Sequence, residues 1–181
     1  MSLTPAFEIG VWNAWIFTVF IFLCVFLSQI IKEVGEKIAH SEEEKKLNRY
    51  IALVSILMVI YSVFLPLKLG TTWFYTGLSI FLLGLVFLTV TIVNIATTPR
   101  GKPFTKGVYR YSRNPLSLGM LLTFLGIGIA SASWLFLLLS VIIAVITHFM
   151  TFKEERSCLK KFGDSYRQYM LRTPRWIGMP K

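Results

Sequence analysis

Residues 73–96 read WFYTGLSIFLLGLVFLTVTIVNIA, without a single lysine, arginine, aspartate or glutamate. A helix crossing a bilayer needs about 20 predominantly apolar residues, so this stretch reads as a transmembrane helix. The same test worked outward finds further spans at Ile9–Ile31, Tyr50–Leu67, Leu116–Ser133 and Trp134–Phe152, the last two meeting at a very tight turn. Ile9–Ile31 is too long for a signal-peptide core and has neither a basic segment before it nor a small-residue cleavage site after it. The 181 residues are 55% hydrophobic and only 15% charged, which is far from the composition of a soluble domain. The expected fold is therefore all-α. One polytopic membrane domain covers 1–181, with about five transmembrane helices and a cytosolic C-terminal amphipathic helix.

Charge alternates between the segments that join these runs. Lys32–Arg49 holds five Lys/Arg, Thr97–Asn114 five, and the tail from Lys153 eight, whereas the other side has Lys68 alone. By the positive-inside rule the crowded side is cytoplasmic, so an N-terminus outside and a C-terminus inside are expected. The net charge of +10 is then explained by topology and by contact with anionic lipid head groups, with no need of nucleic acid. Cys24 lies within a span and Cys158 in the cytosol, so no disulfide is expected, and two cysteines do not make a four-ligand zinc site. No bound metal is expected. Charged residues are also too scarce within the spans for an ion channel or a proton-coupled transporter.

The two parts of the chain differ in character. Residues 1–96 carry three plain spans, with Pro66 marking a kink or helix end, and one connector whose five acids balance its five bases. That connector reads as a solvated helical segment held by i,i+3 and i,i+4 pairs. From Thr97 to Asn114 the chain is broken by Pro99, Gly101, Pro103 and Gly107, with Phe104, Tyr109 and Tyr111 set among five cations. So long a loop in so small a domain suits one folded over a ligand. Gly119, Gly126 and Gly128 offer close approach to a neighbouring helix or a ligand. Beyond the fifth span, Lys153–Leu171 reads as a helix running on into water. Helical spacing puts His148, Glu155 and Leu159 on one face and Glu154 about 100° away, with Phe162, Tyr166 and Tyr169 as an aromatic stripe. Carboxylates where a span leaves the bilayer point to a ligand or an ion pair. Cations, carboxylates and aromatics together suit a zwitterionic, partly aromatic small molecule on the water side.

No GxGxxG, Walker loop, HExxH or GxSxG motif is present. The stretch Gly107-Val-Tyr-Arg-Tyr-Ser-Arg-Asn-Pro-Leu-Ser-Leu-Gly119 resembles the signature of the isoprenylcysteine carboxyl methyltransferase and phospholipid methyltransferase superfamily. The run Glu154-Glu155, Leu159, Phe162-Gly163, Tyr166, Tyr169 and Pro174-Arg175 is similar to that superfamily's C-terminal pattern. Together they cover about residues 97–176. The resemblance implies a membrane methyltransferase that binds S-adenosylmethionine at the cytosolic side. Tyr109, Arg113, Asn114, Pro115 and Gly119 would form one wall of the cofactor site. Glu154 and Glu155 would form another, with His148, Tyr166, Tyr169, Arg172 and Arg175 completing it. Arg113, Asn114 and Glu155 are the residues it places closest to the chemistry.

Physical roles follow from residue type. A carboxylate can hold an ammonium or ribose hydroxyls, an arginine can clamp a carboxylate, and tyrosine faces can favour a sulfonium. An amphiphilic acceptor would enter from the bilayer: a prenylcysteine-like carboxylate, a phospholipid amine or a small apolar thiol. An attacking carboxylate needs no base, whereas an ammonium head group must first lose a proton, with His148 or Glu155 as the candidates to take it. Asn114 stands where many members have His, and Ser117 where Tyr is common. Two other readings are a nicotinamide-dependent membrane reductase of related fold and a non-enzymatic scaffold that retains the fold.

Overall fold

The computed structural model describes residues 9–34, 42–99 and 103–179. Most of the charged connector expected at Lys32–Arg49, together with Arg100, Gly101 and Lys102, lies outside the described residues or has no described side chains. Six helices follow in order: α1 Trp15–Val34, α2 Glu42–Val63, α3 Thr72–Thr97, α4 Pro115–Ala130, α5 Trp134–Phe162 and α6 Asp164–Arg172. A single 3-10 turn, Gly107–Arg110, precedes α4. The fold is all-α, as the apolar runs predict.

Among the described residues, three helices contain a stretch long and apolar enough to cross a membrane: Lys46–Val63, Thr72–Thr97 and Trp134–Phe162. The other two expected spans correspond to shorter apolar helical stretches, Trp15–Cys24 and Pro115–Ala130. At 1.5 Å per residue, the 16 residues of α4 reach only about 24 Å, less than the roughly 30 Å of hydrocarbon.

Local chemistry explains the boundaries. Just before Trp15, residues 12–14 pair with the segment after α2: the Ala14 backbone amide donates to Leu65 O at 2.9 Å and that of Leu67 to Trp12 O at 3.1 Å. The Asn13 amide also donates to Val63 O at 2.7 Å, at the end of α2. Pro66 thus follows a helix end rather than kinking a helix, and it sits in an isolated bridge with Asn13. Thr71 accepts from the Phe74 amide and starts α3, the usual N-cap chemistry. Ser133 does the same for α5 through Phe136. Between α4 and α5 the tight turn is closed by Ala132 and Ser133 amides donating to Ile129 and Gly128, with Ala132 held at φ 51°.

These contacts gather the start of α1, the end of α2, the start of α3 and the α4–α5 turn at one end of the bundle. The Lys68 amide donates to Ala130 O, and the Tyr61 hydroxyl lies 3.0 Å from Ser133 Oγ. Segment 103–114, the end of α5 and everything after it lie at the other end. Among the described residues, the cations of 103–114 and of the segment after Phe152 therefore share one end of the bundle.

Glycine is spent on bringing α3 and α4 together. A Cβ on Gly126 would stand 2.5 Å from the Phe81 backbone nitrogen, one on Gly84 2.7 Å from the Thr123 nitrogen, and one on Gly77 would strike the Ala130 backbone. Gly119 faces Leu88 and Gly128 faces Leu137. Gly77 and Gly84 are seven apart, as are Gly119 and Gly126, so each pair lies along one face at coiled-coil spacing. In lipid no water-driven force joins apolar helices, and close backbone approach supplies dispersion instead. Around this seam Phe17 stacks on Phe81 at 4.5 Å and Tyr61 on Phe136 at 6.3 Å. The large apolar side chains Phe22, Leu57, Leu83, Val86 and Val145 are exposed, as lipid-facing positions are.

Gly126→Ala places a methyl group on the Phe81 backbone, which cannot swing away. Overpacking of this kind costs about 1–3 kcal/mol. The variant should melt several degrees below the parent in detergent; an unchanged melting temperature would show that the seam has slack.

Candidate functional site

At the charged end, α5 runs about 15 Å past Phe152 at 1.5 Å per residue and stops at Phe162. The continuous helix expected over Lys153–Leu171 does not form. Gly163 adopts φ 56°, ψ −130°, a conformation that only glycine takes readily, and α6 starts afresh from it. The reversal folds Tyr166 and Tyr169 inward, where both are buried, and leaves Arg172 exposed on the outside. Arg172 joins none of the bonds described below.

After α6, residues 173–179 form an irregular, bent strap across the loop that precedes α4. The Arg113 amide donates to Pro174 O and the Gly178 amide to Tyr111 O, both at 3.0 Å. Asn114 Nδ2 donates to Arg175 O at 3.3 Å, and Ser112 Oγ donates to the same carbonyl at 3.4 Å while accepting from the Asn114 amide at 3.1 Å. The side-chain amide of Asn114 therefore holds the strap. Pro115 opens α4 and is buried; its fixed φ and missing N–H suit a first helical position.

Under the strap lies Glu155, whose side chain is 5% exposed. Arg175 grips it with both ends of its fork, Nε to Oε1 at 3.1 Å and Nη2 to Oε2 at 2.8 Å. Arg113 Nη2 is 3.4 Å from Oε1. One carboxylate thus serves two guanidiniums, and the buried group carries a net positive charge. The Arg113 side chain is 9% exposed, and its Nε and Nη1 are buried without a hydrogen-bond partner. Thr151 Oγ1, one turn before Glu155 on α5, is also buried and unpartnered. Buried donors of this kind are costly and mark where a further polar group belongs.

Aromatic rings enclose the ion pair. The Arg175 guanidinium lies 3.9 Å above the Phe152 ring, a cation–π contact. Trp176 stacks on His148 at 5.8 Å and 14°. Tyr169 donates to Tyr109 O at 2.6 Å and tilts against Tyr166 at 5.6 Å; Tyr109 meets Phe104 at 5.6 Å. Burial pushes all three phenols well above the usual tyrosine range, so they remain neutral donors at physiological pH. For Tyr109, burial is reinforced by Tyr169, then Glu154 and Cys158. For Tyr166, Cys158 and Glu155 add to burial while Arg113 opposes it. The Arg175 guanidinium is raised in turn by its hydrogen bond to Glu155.

The fold thus brings together Arg113, Asn114, His148, Glu155 and Arg175, with Tyr109, Tyr166 and Tyr169 packed beside them. Glu154, around the helix from Glu155, acts on Tyr109. Gly119 spends its bare face on Leu88, which makes it a packing residue here. Ser112, Thr151, Phe152 and Trp176 escaped the reading of the sequence. Ser112 and Thr151 are ordinary hydroxyls until folding buries them, and Phe152 looks like the last residue of a span. Among the described residues, no group of His, Cys, Asp and Glu could hold a metal ion.

A polytopic helical bundle with a buried arginine–carboxylate group at one end is the architecture of an integral-membrane protein with a polar site at the bilayer edge. The chain belongs to the phospholipid methyltransferase family, which matches residues 70–165. It is therefore a membrane methyltransferase by family. The matched segment contains α3, the loop, α4, α5 and hence Arg113 and Glu155, while Arg175 and the strap lie beyond it. No curated protein matches the chain.

Removing the charge of Glu155 leaves the buried Arg113 guanidinium and the partly exposed Arg175 guanidinium uncompensated, and breaking a buried pair costs about 3–5 kcal/mol in other proteins. Glu155→Gln should therefore lower the melting temperature markedly, whereas Arg175→Ala, whose side chain is 26% exposed, should cost less. Equal losses would show that the carboxylate is not the centre of the group.

Proposed function

We propose that the chain transfers a methyl group from S-adenosylmethionine to an amphiphilic acceptor drawn from the bilayer, at the site built on Arg113 and Glu155. The observation that carries the reading is the two unpartnered, buried nitrogens of Arg113, Nε and Nη1, in a segment matched by a methyltransferase family. The cofactor has an amino-acid carboxylate, a cationic sulfonium and an aromatic base. Arg113 suits the carboxylate through a charge-assisted bond. The neutral phenols of Tyr109, Tyr166 and Tyr169, and the ring of Phe152, suit the base and the sulfonium. When bound, S-adenosylmethionine supplies an electrophilic methyl group and departs as a neutral thioether.

Both oxygens of Glu155 are already engaged by arginines. Its role is to orient Arg113 and Arg175 and to hold their charge in a buried place, which makes it a positioning residue rather than a ligand for an ammonium. A carboxylate so engaged is also a poor base. This favours acceptors that react without losing a proton, such as a prenylcysteine-like carboxylate, over a phospholipid amine or a thiol. The net positive charge of the group suits the anionic part of either. Catalysis then rests on alignment and exclusion of water. The family match weighs against the reductase and scaffold readings.

The end that carries the site is also the end rich in Lys and Arg, so by the positive-inside rule it faces the cytoplasm, where anionic head groups lie against its exposed cations.

Purified protein in detergent should bind S-adenosylhomocysteine and melt at a higher temperature with it; ligand at 100 times its Kd adds about 2.7 kcal/mol. Arg113→Ala should weaken that binding by about tenfold or more, the value of one charge-assisted hydrogen bond. If the unmodified protein shows neither binding nor a thermal shift, the reading is wrong. If Arg113→Ala binds as tightly as the parent, the cofactor site lies elsewhere.

A further inference from the structure

Between the Arg113–Glu155–Arg175 group and the outer surface of α5 stands one layer of rings. Phe152 carries the Arg175 guanidinium on one face and is still 38% exposed. Its neighbour Phe149 is 58% exposed. In a bundle that crosses a membrane, apolar rings exposed at this height face acyl chains. His148 packs edge-on against both, with centroids 5.0 Å from Phe152 and 6.0 Å from Phe149. Trp176 then covers His148 face to face. Phe152 therefore stands between the Arg175 guanidinium and the exposed surface of α5, with the His148–Trp176 stack packed beside it.

The three rings are anchored differently. His148 and Phe152 are fixed to α5, but Trp176 belongs to the strap. The strap's backbone bonds to 111–114 flank Trp176 at Pro174, Arg175 and Gly178, so the indole can swing off the imidazole without breaking a helix. A short segment that reorients beside a packed scaffold is a common way to open a site.

We infer that Trp176, stacked on His148, is a lateral gate through which the apolar tail of the methyl acceptor passes from the bilayer to the site. This rests on the reading of the site as a methyltransferase with an amphiphilic acceptor. The polar head of the acceptor lies toward Arg113, and its tail takes the space that the indole vacates beside Phe149 and Phe152. The acceptor class this geometry fits carries at least one long apolar chain. A small water-soluble acceptor approaches from the aqueous side and has no need of the gate. Trp176 acts on access, so its loss leaves the cofactor's affinity alone.

Two measurements on the full-length protein test the gate. In the first, methyl transfer is followed with paired acceptors, S-farnesyl- against S-methyl-cysteine and dioleoyl- against dihexanoyl-phosphatidylethanolamine. Trp176→Ala should raise kcat/KM for the long-tailed member of the reactive pair by about threefold or more. The short-tailed member and S-adenosylhomocysteine affinity should stay near the parent, and Trp176→Phe should behave like the parent. Equal changes for long and short tails, or a matching loss of S-adenosylhomocysteine affinity, would overturn the gate. The second needs no turnover. In vesicles of brominated phosphatidylcholine, the fluorescence lost on Trp176→Phe should be strongly quenched; an unquenched difference means that the ring does not face acyl chains, and the gate falls. Failure of the unmodified protein to bind S-adenosylhomocysteine overturns the methyltransferase reading instead, and the quenching result still decides whether Trp176 meets lipid.

Discussion

Glu155 accepts from Arg175 through both oxygens and pairs ionically with Arg113 through one of them, and the charged end of the molecule is organised around that sharing. The loop before α4 has only one short 3-10 turn, and the strap after α6 has no helix of its own. Each contributes an arginine to a carboxylate fixed on α5, and their backbones then pair with one another. A carboxylate with a single arginine would be neutralised. With two, the group keeps a positive charge in a buried place, which is costly unless an anion completes it. The unpartnered N–H groups of Arg113 express the same imbalance at atomic scale.

The bundle supplies the rigid base for this group by an unrelated means. α4 can lie on α3 because glycines on both helices remove the side chains that would keep their backbones apart. That seam sets where α4 begins, and so where Asn114 and Arg113 enter the site. The tight turn after α4 places α5 beside it, which brings Glu155 to the same end. Stability in the membrane-embedded part comes from close backbone approach, and at the charged end from ion pairing and aromatic enclosure.

Much of the fold is legible in the sequence because a bilayer imposes a simple rule. Backbone groups in hydrocarbon need partners within the protein, so only helices and closed barrels cross it, and an unbroken charge-free run of about 20 residues has the length of a helix. Runs such as 73–96 therefore declare themselves. The ends are less legible: Pro66 marks a helix end whose position depends on pairing with Asn13, and the expected extension through Leu171 stops at Gly163 because a positive φ there reverses the chain.

The site was legible by type and only partly by role. Arg113, Glu155 and Arg175 stand out as ionisable residues beside spans, and the motif spacing groups them. Their roles depend on distances that no spacing contains. No spacing shows that two arginines share Glu155 or that the side-chain amide of Asn114 donates to the strap. What the sequence by itself determined is the helical membrane class and the gathering of charge at one end, because hydropathy and charge act segment by segment. What only the tertiary structure decided is which glycines join helices, which carboxylate carries two arginines and which indole covers His148. Those are contacts between residues far apart in the chain, and only packing brings them together.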